Sequence, residues 1–152
     1  MKLNGEYTFD GPREEVWKML RDPDMLVLAL PGTKRLKQVG ENEYEGELQV
    51  RIGPIVGSFG GKLTISNERP PENITLTVEG NGKIGFVKGS GDVMFIEQGA
   101  DRTLIKYSGE IQIGGRVASV GQRLFDTVSK SMIDQGLNKL NGILKEHGAA
   151  PK

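Results

Sequence analysis

The chain has 152 residues, which is long enough for one domain with its own hydrophobic core. Its 20 Lys and Arg balance its 20 Asp and Glu, so the composition offers no excess positive charge for a nucleic acid backbone. The absence of cysteine excludes disulfide bonds, thiol nucleophiles and thiolate metal sites, and it fits a reducing cytoplasm. No apolar run approaches the roughly 20 residues of a membrane span, and the N-terminus does not resemble a signal peptide. We therefore expect a soluble cytoplasmic protein.

The first elements predicted are one strand and two short helices. Apolar and polar residues alternate over 2–9, which is typical of a strand with one buried face. Asp10 is expected to cap the first helix, and a second helical segment is expected over 24–30, ended by a Pro-Gly pair. This second segment is apolar nearly all round. It is therefore either core or a lid over an entrance, with Met25 and Leu30 at that entrance.

Six consecutive strands are predicted next. Alternation with a period of two places them over 33–39, 43–52, 55–66, 74–80, 84–96 and 103–113. Asn81-Gly82 is a strong signal for a tight hairpin turn.

Glycine occupies many inward positions of these strands, where a core needs bulk. The positions are Gly5, Gly46, Gly57, Gly61, Gly80, Gly89, Gly91 and Gly109. Because glycine weakens a strand, this pattern indicates curvature, internal space, or both. We interpret Gly57 and Gly61 as points of curvature. The glycines of the last two strands are interpreted as clearing space that faces the following helix.

The pattern then changes to a period of 3.6, which predicts one long helix from about Val117 to Lys145. Such a helix of roughly 30 residues spans about 45 Å, enough to cross the whole sheet. A second apolar stripe lies roughly opposite the first and comprises Ile133, Leu137, Leu140 and Leu144. Either the helix bends near Gly136 and packs both stripes within the domain, or the second stripe docks a partner or a second copy.

Together these elements predict an α+β fold in which a curved seven-stranded antiparallel sheet wraps around a long C-terminal helix. Two short helices follow the first strand, the domain spans 1–147, and 148–152 form a short tail. Small residues on both the sheet and the helix predict a cavity between them. The expected lining is Met25, Leu30, Phe59, Leu76, Phe86, Phe95, Tyr107, Leu124, Phe125, Val128 and Met132.

Few residues suit catalysis. His147 is the only histidine, and at the expected helix end it suits the helix dipole or the surface. We therefore expect no catalytic residue, metal site or cofactor. Asp92 is expected to point outward, and Gly114-Gly115 to form a strand-to-helix corner, or else a turn that receives an anion. Tyr107 faces inward, so its hydroxyl either reaches the rim or water, or donates to a ligand carbonyl.

Four motifs in chain order resemble the family of the carbon monoxide dehydrogenase G subunit, within the START-like helix-grip superfamily. They are Leu30-Pro31-Gly32, the segment 53–59 (GPIVGSF), the segment 85–89 (GFVKG) and the segment 114–123 (GGRVASVGQR). The resemblance covers Met1 to about Leu144.

This resemblance implies an accessory role beside molybdenum-containing carbon monoxide dehydrogenases and related hydroxylases, including their recruitment to the cytoplasmic membrane. It also implies that a quinone, fatty acid or other long apolar molecule binds in the cavity. Many members carry a longer C-terminal extension that supports membrane attachment, whereas this chain stops at Lys152. We therefore expect the ligand-carrying role, with at most peripheral contact with the inner face of the membrane.

Two other functions stay open. The protein could be an interaction module that docks a partner enzyme, or forms a homodimer, through the stripe Ile133–Leu144. It could also be an enzyme of the cyclase or hydrolase type, since some helix-grip proteins act on hydrophobic substrates. That function would need a buried carboxylate with a raised pKa in the cavity.

Overall fold

The computed structural model describes residues 2–29 and 32–149, so Leu30 lies outside the described residues. The elements are β1 (Lys2–Phe9), α1 (Arg13–Leu20), α2 (Pro23–Ala29), β2 (Thr33–Gly40), β3 (Glu43–Ile52), β4 (Ile55–Arg69), β5 (Asn73–Gly82), β6 (Gly85–Glu97), β7 (Thr103–Gly114), a 3-10 turn (Gly115–Val120) and α3 (Gln122–Ala149). All seven strands form one antiparallel sheet in the order β1-β7-β6-β5-β4-β3-β2. The predicted fold class is confirmed.

The predicted tight turn at Asn81-Gly82 is displaced by two residues. Gly82 still belongs to β5 and pairs with Gly85, and the turn consists of Lys83 and Ile84. A side chain at position 82 would collide with the carbonyl oxygen of Ser58. The glycine therefore allows β4 to approach closely, instead of forming the turn.

The single long helix predicted from about Val117 is also wrong in its first part. Residues 115–120 form a 3-10 turn, and α3 begins only at Gln122. Between them Gly121 has a φ of 93°, which lies outside the right-handed helical region and favours glycine. Val117 is nevertheless fully buried, and its N–H donates to the carbonyl oxygen of Ile84 at 2.7 Å.

Asp10 does not cap α1, because Pro12 holds the N-cap position and no side chain caps the helix there. The backbone N–H of Asp10 instead donates to Oδ1 of Asn141 at 2.9 Å, and the Asp10 carboxylate accepts from Nδ2 of Asn141 at 3.0 Å. This pair of hydrogen bonds ties the end of β1 to α3.

The buried apolar side chains form two separate clusters. The first core lies under α1, α2 and the C-terminal half of α3, and includes Phe9, Val16, Ile65, Ile74, Phe95, Ile105, Leu140 and Leu144. The second core lies where β3, β4 and the β5–β6 turn meet the 3-10 turn and the start of α3, and includes Val50, Ile52, Ile55, Phe59, Ile84, Val117 and Phe125. The space between the two cores is the part of the fold that positions the candidate site.

The second apolar stripe of α3 is largely internal, so of the two alternatives packing within the domain is the one observed, and the docking surface is not. Leu140 is 0% exposed and Leu144 is 5% exposed, and both belong to the first core. Leu137 packs against that core, and Ile133 is half-buried. The stripe therefore packs within the domain, since its main side chains are not available to a partner.

Within residues 2–29 and 32–149, no helix is both long and apolar enough to cross a membrane.

Candidate functional site: an inner cleft between the two cores

The inner face of the sheet is open to solvent at its middle. Val78 pairs with Leu63 and Gly89, so it points to the same inner side as the buried Leu63. Val78 is nevertheless 39% exposed, and neither core includes it. An inward side chain that neither core covers indicates a gap between α3 and the central strands.

We call this gap the inner cleft and define it by Leu76, Val78, Tyr107, Val128 and Met132. Leu76 and Tyr107 pack against the first core, and Val128 and Met132 pack against the second. Four of these five side chains are apolar and all are at least partly accessible. An apolar molecule that enters the cleft would bury these surfaces and touch both cores.

The inward glycines explain the shape of the sheet more than the volume of the cleft. A Cβ at Gly109 would lie 2.5 Å from the carbonyl oxygen of Ser90, and one at Gly91 would lie 3.0 Å from that of Ser108. These positions permit close approach of neighbouring strands, so they support curvature. By contrast, Gly57 leaves room for the side chain of Ile84. The division expected from the sequence, with Gly57 as a bend and the later glycines as free space, is thus reversed at these positions.

The expected lining residues separate into three groups. Phe59, Phe95 and Phe125 are 2–4% exposed and form the walls of the two cores at either end of the cleft. Leu76, Tyr107, Val128 and Met132 border the cleft itself, while Met25 packs against the first core.

Phe86 and Leu124 lie elsewhere, which corrects their placement in the lining. Phe86 is on the outer face of β6, 42% exposed, with its ring against Gly114. Its even position in the strand sets this orientation, because the buried Val93 and Phe95 hold odd positions. Leu124 is 37% exposed beside Gly53, since the break at Gly121 shifts the start of α3.

Tyr107 supplies a polar group at the border of the cleft. Its hydroxyl lies over Gly5 of β1, where a side chain would displace the phenol. No residue of the described chain forms a hydrogen bond with this hydroxyl. Burial, and secondarily the negative charge of Asp134, raises the pKa of Tyr107 above its usual value. The phenol is therefore protonated at neutral pH and can donate a hydrogen bond to an acceptor.

Tyr7 and two residues of α3 extend this polar border, and the sequence alone did not single them out. The hydroxyl of Tyr7 donates to Oδ1 of Asn138 at 2.7 Å. Burial is also the largest cause that raises the pKa of Tyr7, and Asp134 contributes here too. Asp134 thus acts on both phenols from α3. The alternation places Tyr7 inward, but nothing in the sequence connects it with a helix residue 131 positions away.

The surface also carries two open depressions, and both lie on the outer face of the sheet. Their volumes are about 350 and 480 Å³, and polar residues of β1, β6 and β7 form most of their lining. Asp92 lies here, pointing outward as expected, and its carboxylate accepts from the hydroxyl of Thr75 at 2.6 Å. No group of His, Cys, Asp and Glu suited to a metal ion occurs among the described residues.

Comparison with solved structures gives the class of protein to which this fold belongs. A START superfamily protein from Mycobacterium smegmatis matches with a TM-score of 0.71 and 11% identity, covering 95% of this chain and 97% of the other. The ZhuI aromatase/cyclase from Streptomyces sp. R1128 matches with a TM-score of 0.74 and 15% identity, covering 99% and 96%. The curved sheet around a C-terminal helix is therefore a START-like, helix-grip fold.

The protein family to which this chain belongs is narrower than the group of proteins that share the helix-grip fold. Residues 5–144 match the family model for the carbon monoxide dehydrogenase G subunit (CoxG), so the chain belongs to that family. A conserved protein from Geobacillus kaustophilus is similar over 96% of both chains, with 30% identity and a TM-score of 0.92. No curated protein gives a significant match.

Proposed function

We propose that this protein is a non-catalytic carrier that holds a long apolar molecule, a quinone or a lipid, in the inner cleft. It would serve a carbon monoxide dehydrogenase-like molybdenum hydroxylase and its recruitment to the membrane. Membership of the CoxG family supports the link to such an enzyme. The observation that carries the ligand proposal is the exposure of Val78, 39%, on the inner face between the two cores.

Burial of apolar surface would supply the binding energy. Each Å² removed from water contributes about 25 cal/mol before the costs of ordering. A linear apolar tail suits the cleft, because Leu76 and Val78 lie on β5 at one side of it and Val128 and Met132 lie on α3 at the other. The same tail would remain in contact with water if it bound in the open depressions of the outer face.

Tyr107 would orient the polar end of the ligand. A protonated phenol without a partner is a suitable donor to the carbonyl of a quinone or the carboxyl of a fatty acid. The raised pKa favours this role over that of a nucleophile or base, because ionisation is disfavoured. Tyr7 is less available, since its hydroxyl already donates to Asn138.

A substitution that fills the cleft tests the proposal. Val78→Trp adds an indole to the inner face, and Met94→Trp adds the same side chain to the outer face, where Met94 is 49% exposed. The probes are a quinone with a ten-carbon tail and a saturated fatty acid, measured by native mass spectrometry and by the shift in melting temperature. We expect the wild-type protein and Met94→Trp to bind equally. Val78→Trp should bind at least about tenfold more weakly, a loss of roughly 1.4 kcal/mol.

Two results would overturn the proposal. One is that neither probe shifts the melting temperature of the wild-type protein and no apolar molecule copurifies with it. The other is that Val78→Trp and Met94→Trp bind the quinone with the same affinity, since binding would then lie outside the cleft.

A further inference from the structure

One end of the molecule collects three connections of the chain. They are the β3–β4 loop at Gly53-Pro54, the β5–β6 turn at Lys83-Ile84, and the 3-10 turn with the start of α3. The N–H of Val117 donates to the carbonyl of Ile84 at 2.7 Å, which joins the second and third connections. Leu124 of α3 lies next to Gly53, which joins the third and first. We call this end the tip.

The tip is basic although the whole chain is neutral. The segments 48–58, 80–91 and 111–125 contain no Asp or Glu. They do contain five cations: Arg51, Lys83, Lys88, Arg116 and Arg123. Lys88 forms an ion pair with Glu79 at 3.8 Å. The side chains of the other four belong to exposed residues and form no ion pair or hydrogen bond within the described part of the chain.

The tip also exposes large apolar side chains. Val56 is 52% exposed, Phe86 is 42% exposed and Leu124 is 37% exposed. Each comes from a different segment of the tip, and each has a basic residue within five positions in the sequence. The ring of Phe86 rests on Gly114 rather than in a core. These three exposed side chains therefore belong to the same end of the molecule as the four cations without partners.

We propose that the tip docks onto an anionic membrane surface. Anionic headgroups attract clustered Lys and Arg, and isolated apolar side chains beside them can enter the headgroup boundary. The core of a protein–protein interface is depleted of charged residues, whereas each of Val56, Phe86 and Leu124 has a basic residue within five positions. The inference deepens the membrane role and rests on that part of the proposed function, but it does not depend on the ligand.

Vesicle flotation tests the docking. The full chain is mixed with vesicles of phosphatidylcholine, with or without 30 mol% phosphatidylglycerol, at low salt. Roughly fivefold tighter binding is expected per cation near an anionic surface. Lys83→Gln with Arg116→Gln should therefore weaken binding to the anionic vesicles about twenty-five-fold. The matched control is Lys139→Gln with Lys145→Gln, which removes two exposed cations from the other part of α3.

A second variant separates insertion from charge. Phe86→Ser keeps every cation and should weaken binding severalfold, with the remaining binding lost at high salt because charge attraction is screened. Melting temperatures close to that of the wild type would show that all variants fold. The cleft variant Val78→Trp should bind vesicles normally, so failure of the ligand proposal and failure of the docking proposal are distinguishable.

Four outcomes would overturn the docking proposal. The wild-type chain could bind neither kind of vesicle, or bind both equally. The Lys83→Gln and Arg116→Gln variant could bind anionic vesicles as tightly as its control variant. Finally, an acidic protein could bind the tip while vesicles do not, which would assign this end to protein docking instead.

Discussion

Substitution of Gly109 by alanine tests whether the inward glycines exist for curvature. A Cβ at this position would lie 2.5 Å from the carbonyl oxygen of Ser90 and 2.8 Å from the Cα of Gly91. Both atoms belong to the backbone of β6, so neither can turn aside as the end of a flexible side chain could. The backbone of Gly109 itself is not in the left-handed region, so the cost is purely steric.

The size of the effect follows from this geometry. Relief of the contact needs a shift of β6 against β7, and overpacking of this kind costs roughly 1–3 kcal/mol. For a chain of this length, each kcal/mol lowers the melting temperature by about 2–4 °C. Gly91→Ala should cost less, because its nearest contact is at 3.0 Å.

Gly60→Ala is the matched control. Gly60 lies on the exposed outer side of β4, and the nearest atom to an added Cβ is the carbonyl oxygen of Asn81 at 4.0 Å. Here alanine should be neutral or stabilise by up to about 1 kcal/mol, through the lower entropy of the unfolded chain. Urea unfolding monitored by circular dichroism measures all three variants. Equal stability of the Gly109 and Gly60 variants would refute the curvature argument.

Further predictions concern the first core, the polar border and the two phenols. Leu140→Ala should destabilise the fold by about 2–5 kcal/mol in urea unfolding, because Leu140 is 0% exposed; an effect no larger than that of Ile133→Ala would contradict its place in the core. Asn138→Ala should lower the free energy of unfolding by about 0.5–1.5 kcal/mol, because it removes the acceptor of the Tyr7 hydroxyl. In a protein that already carries Tyr7→Phe, the same Asn138→Ala substitution should change stability very little. Folding raises the pKa values of Tyr7 and Tyr107. Both phenols are protonated at neutral pH in the folded and in the unfolded chain, but above about pH 10 the unfolded chain loses these protons first, so stability should fall as pH rises past that point. Unfolding at about pH 8 and pH 11 measures this, and the double variant Tyr7→Phe, Tyr107→Phe should show a smaller loss.

The fold class could be predicted because its signals are local. Alternation in β3 and β7 and the period of 3.6 in α3 depend only on neighbouring residues, and these elements lie close to where they were expected. The turn at Lys83-Ile84 was missed because Gly82 serves a contact with Ser58, a residue of another strand. The break at Gly121 was missed because a glycine within an apolar stripe does not reveal its φ angle.

The candidate site was harder to predict than the fold. The register of β6 places Phe86 outward, so its position in the strand, rather than its aromatic character, determines its side of the sheet. Whether Leu140 and Leu144 pack internally or dock a partner stayed open because the sequence does not show that α1 and α2 cover this part of α3. The hydrogen bond between Tyr7 and Asn138 depends on where the last helix crosses the first strand, so only the folded chain shows it.

The division of the interior into two cores affects how the protein unfolds. Each core has its own set of buried side chains, and Val78 and the central glycines between them contribute little packing. Without a ligand, the two halves are linked through shared strands and through α3, so hydrogen exchange should detect partial opening of one half at a time. An apolar molecule bound between the cores would pack against the side chains of both, as a residue of the interior would. Its binding would join the two cooperative units into one, beyond the mass-action gain in stability.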